Sequence, residues 1–156
     1  MKSVLLDTSF CIRLLKEDDP YHLNTIEYFQ YFLENKVELF LSSIVIAEYC
    51  VKDNINNLPL NTMKIIPFDF YDGRTAGEFY SILLDKRQNF QIPDRNVIKD
   101  DCKLLSQIFN RSIEAYITKD RRSFNQIIAP VTSLKGFSIE LIDLAIPLKD
   151  YMGKLF

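Results

Sequence analysis

The stretch Val4-Leu5-Leu6-Asp7-Thr8-Ser9 combines the two features on which the predicted fold depends. Its three apolar residues are too few for a helix and indicate a buried strand. The acid and the two hydroxyl residues that follow are types preferred at the start of a helix. The stretch therefore predicts a strand that passes directly into a helix, with an acid at the junction.

The same order of a short apolar strand and an amphipathic helix recurs along the chain. Strands are predicted at 4–6, 37–41, 65–66, 115–118 and 137–142. Helices are predicted at 10–15, 21–35 and 44–52, from Asp69 or Asp72 onward, from Asp94 or Asn96 to 110, and at 120–128. This alternation is typical of an α/β fold in three layers, α/β/α, with a central parallel sheet of about five strands.

The bulk composition predicts one globular, intracellular domain. The chain has 156 residues, of which 47% are hydrophobic and 26% charged, and its 4 Gly and 6 Pro leave little room for linkers. We expect a single domain over 1–156, with a tail from about residue 144 that docks as a turn of helix or frays. Three cysteines without paired spacing, an acid as early as Asp7 and the lack of a long apolar run predict a reduced, cytoplasmic protein with no membrane segment.

Two acids follow predicted strands, where ligands bind in parallel sheets. Asp7 comes directly after the first strand, and Asp120 comes just after the strand at 115–118. Both also precede helices, so capping of a helix is the alternative reading for each of them.

Two further acids interrupt apolar faces of predicted helices. Glu48 shares a stripe with Ile44 and Val51, and Asp101 shares one with Val97 and Leu105. Solvation at the edge of a stripe, or of an acidic first turn, is the alternative reading. A carboxylate on such a face loses hydration and needs a partner or a metal. Asp100 lies about 100° further around the helix, so Asp101 is the predicted inward acid.

Four carboxylates in one pocket repel one another unless a cation neutralises them. Oxygen ligands suit Mg²⁺ or Mn²⁺, and with His22 as the only histidine a zinc site is not expected. Such an ion catalyses in-line displacement at phosphorus, so we predict nucleic-acid cleavage by Asp7, Glu48, Asp101 and Asp120. Hydroxyl residues beside these acids are predicted to orient the carboxylates or metal-bound waters, namely Thr8, Ser9, Ser42, Ser43 and Thr118.

Four segments carry these acids in order along the chain: Val4-Leu5-Leu6-Asp7-Thr8-Ser9, Ser43-Ile44-Val45-Ile46-Ala47-Glu48, Asp101-Cys102-Lys103-Leu104-Leu105-Ser106 and Tyr116-Ile117-Thr118-Lys119-Asp120. In these segments the chain resembles the PIN-domain nucleases. The resemblance implies a Mg²⁺/Mn²⁺ site built from the four acids and endonuclease action on RNA. It also implies a VapC-like toxin of a prokaryotic toxin–antitoxin pair, a homodimer, and an antitoxin whose segment plugs the acidic site. Many relatives have another acid after the fourth one, whereas here Arg121-Arg122-Ser123 follows, so a fifth ligand is not carried over.

Basic residues near the predicted site are candidates for phosphate contacts, although ordinary helix surface is the alternative reading. They form two groups: Lys86, Arg87, Arg95, Lys99 and Lys103, and then Lys119, Arg121 and Arg122. Of these, Lys99, Lys103, Arg121 and Arg122 are the predicted substrate contacts. Base stacking by Tyr71, Tyr80 or Phe90 is a weaker prediction. The charge of −2 and the pI of about 5.4 argue against simple electrostatic capture of a polyanion.

Other functions remain open from sequence alone. A non-catalytic interaction module could keep the PIN-like fold, and a metal-dependent nuclease could act on DNA or in RNA processing. A phosphoryl-transfer receiver also gathers acids around Mg²⁺, but it needs a mid-chain phosphoacceptor. Asp69, which follows Pro67 and Phe68, does not stand in that context.

Overall fold

A computed structural model of the chain describes residues 1–85 and 95–153. In these ranges the sheet has five strands: β1 Ser3–Leu6, β2 Glu38–Ser42, β3 Met63–Ile66, β4 Ala115–Thr118 and β5 Glu140–Asp143. All neighbouring pairs are parallel, in the order β3-β2-β1-β4-β5. The predicted sheet is confirmed.

Seven α-helices occur within the described ranges, and together with the sheet they form the predicted α/β/α layers. They are α1 Thr8–Leu15, α2 His22–Glu34, α3 Ser43–Tyr49, α4 Phe70–Asp85, α5 Arg95–Arg111, α6 Arg121–Lys135 and α7 Leu148–Gly153. Two short 3₁₀ turns, Ile55–Asn57 and Leu60–Thr62, lie between α3 and β3, where the polar sequence at 53–61 predicts irregular structure. The sequence also predicts a loop at 89–93, and that segment lies outside the described residues. None of the described helices is both long enough and apolar enough to cross a membrane.

Strand β1 is central and apolar because it is covered on both faces. Val4, Leu5 and Leu6 are fully buried, as are their neighbours Ala115 and Ile117 on β4. Continuous apolar runs are what helices on both faces of a parallel sheet require. The buried residues of the strands therefore supply the core on which the helices pack.

The inward faces of α2 and α3 differ from the predicted ones. Helical spacing predicts that α2 faces the core with Leu23, Ile26, Phe29 and Leu33. Leu23 is instead 74% exposed, and the buried residues are Thr25, Tyr28 and Phe32. Helix α3 ends at Tyr49 and buries Val45 and Tyr49, so Val51 lies beyond the helix. In both helices the true face is rotated from the predicted one, because aromatic residues outside the expected stripe pack against the core.

The C-terminal part of the chain also departs from the predicted boundaries. Helix α6 continues through Pro130 to Lys135, since Val131 is buried and Gly136, at φ 69°, ends the helix in the left-handed conformation. Strand β5 begins only at Glu140, because Phe137 stacks with Phe79 at 6.2 Å instead of pairing in the sheet. The tail docks as α7, and residues 154–156 lie outside the described residues.

Candidate metal centre

The four predicted acids line one cavity of about 150 Å³ at the carboxyl edge of the sheet. Register explains how the strands bring the first and last of them together. Leu6 of β1 lies opposite Ile117 of β4, so Asp7 and Thr118 follow side by side. The remaining lining residues of this cavity are Leu104, Tyr116, Thr118 and Phe124.

Asp7 occupies the N-cap position of α1, but its side chain makes no cap hydrogen bond. Its Oδ2 instead accepts from the Ser9 hydroxyl at 2.6 Å and from the Thr118 hydroxyl at 2.8 Å. Each of these hydroxyls in turn accepts a backbone N–H at 3.0 Å, from Lys119 and Asp120 respectively. The carboxylate is thus oriented toward the cavity by the loop after β4, and capping does not account for it.

Asp120 also stands at an N-cap position, that of α6, without a side-chain cap hydrogen bond. The residue is exposed and lines the cavity. Its backbone N–H is held by the Thr118 hydroxyl, which fixes the turn that carries it. Helix capping was the alternative interpretation of this acid, and the observed hydrogen bonds do not support it.

Asp101 projects into the cavity from α5, whereas Asp100 points outward and pairs with Lys103 at 3.3 Å. Burial, together with the nearby charges of Asp7 and Asp120, raises the pKa of Asp101 to about 7. The carboxyl groups are therefore close enough to repel one another. This electrostatic strain is what a bound cation relieves.

Glu48 reaches the cavity from α3 but is more exposed than predicted. Its Oε2 accepts a short hydrogen bond from the Thr8 hydroxyl. Partial burial raises the pKa of Glu48, the Thr8 hydrogen bond opposes that rise, and the charge of Asp7 adds to it. The residues of α3 that face the core are Val45 and Tyr49. Glu48 therefore lies beside this inward face and not within it.

The predicted orienting hydroxyls do not all touch carboxylates. Thr8 and Thr118 contact Glu48 and Asp7, as described above. The Ser43 hydroxyl instead accepts the backbone N–H of Phe68 at 3.0 Å, so it ties α3 to the segment after β3. Its predicted place beside the carboxylates is not seen among the hydrogen bonds of the described residues.

Sequence reasoning missed Tyr116 as a residue of the cavity and Gln107 as a buried polar residue near it in the fold. Tyr116 lines the cavity, and its pKa is raised strongly by burial and then by the charges of Asp7 and Asp101. It lies within an apolar strand, so nothing in the sequence distinguished it from core. Gln107 is fully buried on α5 and bonds to Ser42 at 2.5 Å.

The donor chemistry of the cavity fits a hard divalent cation. Four carboxylates line it without a histidine or a thiol, and their mutual repulsion leaves negative charge to be neutralised. In residues 1–85 and 95–153, however, no three acids, histidines or cysteines are gathered closely enough to hold an ion as the side chains stand. Mutual repulsion favours such a spread arrangement. Binding an ion therefore requires the carboxylates to close on it.

The basic residues predicted to contact phosphate differ in exposure and in the groups that they contact. Lys99, Arg121 and Arg122 are exposed, and the Arg121 Nε donates to the Leu141 carbonyl at 3.2 Å. Lys103 is engaged with Asp100, and the Lys119 ammonium lies 5.2 Å from the centre of the Tyr21 ring. Lys86, Arg87 and Phe90 lie outside the described residues, as does the side chain of Arg95. Tyr71 is exposed and Tyr80 is half-buried, so exposure favours Tyr71 of the two for stacking.

Comparison with solved structures identifies the fold. A chain in the crystal structure of DNA-bound VapBC from Salmonella typhimurium superposes with a TM-score of 0.60 at 19% identity, over 92% of this chain and 99% of that one. The chain has a VapC-like PIN fold. A chain in the crystal structure of FitAcB from Neisseria gonorrhoeae has a TM-score of 0.63 at 15% identity, over 91% of this chain and 98% of that one.

A third PIN-fold structure is Mycobacterium tuberculosis VapC20, a toxin that cleaves the sarcin–ricin loop. It has a TM-score of 0.50 at 13% identity, over 72% of this chain and 86% of that one. No protein-family model and no curated protein sequence matches the chain. At these identities the likeness concerns the PIN fold, while the chemistry depends on the residues of the site.

Proposed function

We propose that this protein is a Mg²⁺- or Mn²⁺-dependent endoribonuclease and the toxin of a prokaryotic toxin–antitoxin pair. The observation that carries the proposal is that Asp7, Glu48, Asp101 and Asp120 converge on one cavity. The VapC-like fold supports it, and VapC20, which has the same fold, is a toxin that cleaves the sarcin–ricin loop. Lys99, Lys103, Arg121 and Arg122 are the proposed contacts to the phosphate backbone.

The four carboxylates are the residues that would hold the ion. When bound, a divalent cation polarises a phosphoryl oxygen, activates water and stabilises the leaving oxygen. Ser9 and Thr118 hold the Oδ2 atom of Asp7 by hydrogen bonds, and Thr8 holds the Oε2 atom of Glu48. Leu104 and Phe124 line the cavity beside Asp101 and restrict water there.

Cleavage of RNA by the purified protein is expected to require Mg²⁺ or Mn²⁺ and to stop when EDTA is added. Asp7→Asn should lower the rate by about 10²-fold or more, because it removes one charged metal ligand. The measurement is the rate of cleavage of a structured RNA, with single-stranded and duplex DNA assayed in parallel.

Asp143→Asn is the matched control for this experiment. Asp143 also stands at the carboxyl end of a strand, but it accepts the Ala145 N–H at 2.9 Å and does not line the cavity. Its substitution should leave the rate within about twofold of the wild type, since its carboxylate accepts the Ala145 N–H and does not line the cavity. Equal rates with and without EDTA, or no cleavage of any nucleic acid, would remove the proposal, and cleavage of DNA alone would correct its substrate.

This protein has a surface beside the site to which the proposed antitoxin could bind. A groove of about 570 Å³ runs between α1 and the end of α3, and Glu48 lines both this groove and the acidic cavity. Ile12, Leu15 and Val51 line the groove and are exposed apolar side chains. An apolar segment in this groove would lie next to Glu48, so it could block access to the carboxylates.

Leu15→Glu places a charge in the groove, so it is expected to weaken binding of a co-expressed small protein from the adjoining reading frame. Less of that protein should copurify with the variant, and it should inhibit cleavage by the variant less. Leu23→Glu is the control, since Leu23 is an exposed leucine outside the groove. Equal effects of the two substitutions would contradict a partner segment in this groove. Sedimentation velocity of the isolated protein tests the proposed homodimer.

A further inference from the structure

A buried pair of polar side chains joins the helix that carries Glu48 to the helix that carries Asp101. Ser42 ends β2 and caps α3, and Gln107 lies on α5. Both are 0% exposed, and the Ser42 Oγ donates to the Gln107 Oε1 at 2.5 Å. The Gln107 Nε2 donates to the carbonyl of Pro67 at 3.2 Å. One amide therefore ties together α5, the start of α3 and the segment after β3.

The orientation of this amide is fixed by the hydrogen bonding of its neighbours. The Pro67 carbonyl only accepts, so it must face the amide nitrogen. The amide oxygen then faces Ser42, whose single hydroxyl proton points to it. The same hydroxyl oxygen accepts the Ile44 N–H at 3.1 Å. Turning the amide over would set two oxygens against each other at Pro67, so one arrangement satisfies every group.

The bridge lies between the two helices that carry Glu48 and Asp101. Glu48 lies six residues after Ser42, and Gln107 lies six residues after Asp101. Helix α3 has only 7 residues, too few to keep its direction by helix propensity alone. Glu48 is itself exposed, so packing of its own side chain does not hold it in place. Val45 and Tyr49 pack α3 against the core, and Ser42 ties its N-terminal end to α5 through Gln107.

Packing of the core does not require an amide side chain at position 107. Its neighbours Leu104, Leu105 and Ile108 are buried and apolar, and an apolar side chain of similar length would satisfy the same space. A buried amide gains little net stability even when it is paired, and it costs stability when it is not. What it adds is a single relative orientation of the elements that it joins.

We propose that Ser42 and Gln107 are positioning residues that set the distance between Glu48 and Asp101 in the metal site. They act through the backbones of α3 and α5, unlike Ser9, Thr118 and Thr8, which touch the carboxylates directly. The inference rests on the proposed function, since it assigns the bridge to the same metal centre.

Gln107→Met tests the bridge because methionine keeps the length of the side chain and removes the amide. In calorimetric titration with Mn²⁺ alone, its Kd should rise about tenfold, as for other residues that orient metal ligands. Asn110→Met is the matched control on the same helix. It removes amide bonds to Asp72 and Thr75 on α4, so it should lower the urea midpoint and leave the Mn²⁺ Kd within about twofold of the wild type.

Ser42→Thr and Ser42→Val provide a second comparison at equal side-chain volume. Threonine keeps the hydroxyl, so Ser42→Thr should bind Mn²⁺ about tenfold more tightly than Ser42→Val. Unchanged Mn²⁺ affinity in Gln107→Met, or equal affinity in the two Ser42 variants, would overturn the inference while the nuclease proposal stands. A wild-type protein that binds no Mn²⁺ would overturn the metal centre, and the assigned role of the bridge with it.

Discussion

Asp101→Asn is expected to abolish metal-dependent cleavage and, at the same time, to stabilise the metal-free protein. Burial, followed by the charges of Asp7 and Asp120, raises the pKa of Asp101 from 3.8 to about 7. A carboxyl group with a higher pKa in the folded state destabilises that state at pH values above its unfolded pKa. Asparagine has nearly the same shape and carries no charge, so the repulsion disappears together with the metal ligand.

The gain in stability should depend on pH in a defined direction. Below about pH 4 the carboxyl is protonated in both the folded and the unfolded state and costs nothing. Between about pH 4 and pH 7 the unfolded chain loses this proton more readily than the folded one, so the cost grows, and above that range it is constant. Urea unfolding in EDTA at pH 8 should show Asp101→Asn to be more stable than the wild type by about 1–3 kcal/mol, with no gain at pH 4.

The neighbouring acid is the control for this prediction. Asp100 is paired with Lys103 at the surface, where both side chains are more than 40% exposed, so Asp100→Asn should change stability by less than about 1 kcal/mol. Saturating Mn²⁺ should reverse the order of wild type and Asp101→Asn, because only the wild type gains binding free energy. A variant that is less stable than the wild type at pH 8 in EDTA, or one that cleaves RNA at the wild-type rate, would contradict the assigned role.

The strands and two of the acids were predictable because their signals are local. An apolar run of three or four residues followed by an acid and a hydroxyl residue marks the end of a strand without reference to the rest of the chain. Asp7 stands in that context, and Asp120 comes three residues after the apolar run Ala115-Tyr116-Ile117. The helical phase likewise separates Asp101 from Asp100, since adjacent residues on a helix lie about 100° apart.

The faces of α2 and α3 were not predictable in the same way. Helix α2 carries apolar or aromatic residues on several sides, so its sequence is compatible with more than one inward face. The sheet selected the face with Tyr28 and Phe32, whose rings lie 6.1 Å apart. In α3 two turns of helix are too short for the period to be read reliably. Tertiary packing decided both cases.

Buried polar partners were beyond the reach of the sequence. Gln107 pairs with Ser42 at a separation of 65 residues, and Arg111 pairs with Asp72 at a separation of 39. Nothing local distinguishes these residues from surface ones, because only the assembled fold brings the partners together. Asp72 shows this most clearly, since the sequence suggested it only as a start of α4.

Asp72→Ala is expected to lower the free energy of unfolding by about 3–5 kcal/mol, because it leaves a partly buried guanidinium without its main partner. The Asp72 side chain is 1% exposed and accepts from the Arg111 Nη1 at 2.7 Å and Nη2 at 2.9 Å. It also accepts from the Asn110 Nδ2 at 3.0 Å and the Asp69 N–H at 3.1 Å. Asp69 in turn accepts the Asp72 N–H at 3.0 Å, which makes a reciprocal cap of α4.

The loss in free energy of unfolding caused by Asp72→Ala should be complete at neutral pH and smaller in acid. Burial acts to raise the pKa of Asp72, but the hydrogen bonds from Arg111 and Asn110 outweigh it and hold the pKa below 3.8. A lowered folded pKa gives stability that is present above the unfolded pKa and is lost as the pH falls through the folded one. Urea unfolding at neutral pH and near about pH 3 measures the difference.

Lys64→Met is the surface counterpart of the Asp72 experiment. It breaks the pair between Lys64 and Glu38, which is closed at 3.0 Å but has side chains 63% and 55% exposed, so the loss should stay below about 1 kcal/mol. A similarly small loss for Asp72→Ala would mean that the pair with Arg111 contributes no more than a solvated one. Because that pair joins α4 to α5 away from the acidic cavity, the folded variant should still bind Mn²⁺ as the wild type does. The stability of the α4–α5 unit and the affinity of the metal centre are therefore expected to be separable properties of helix α5.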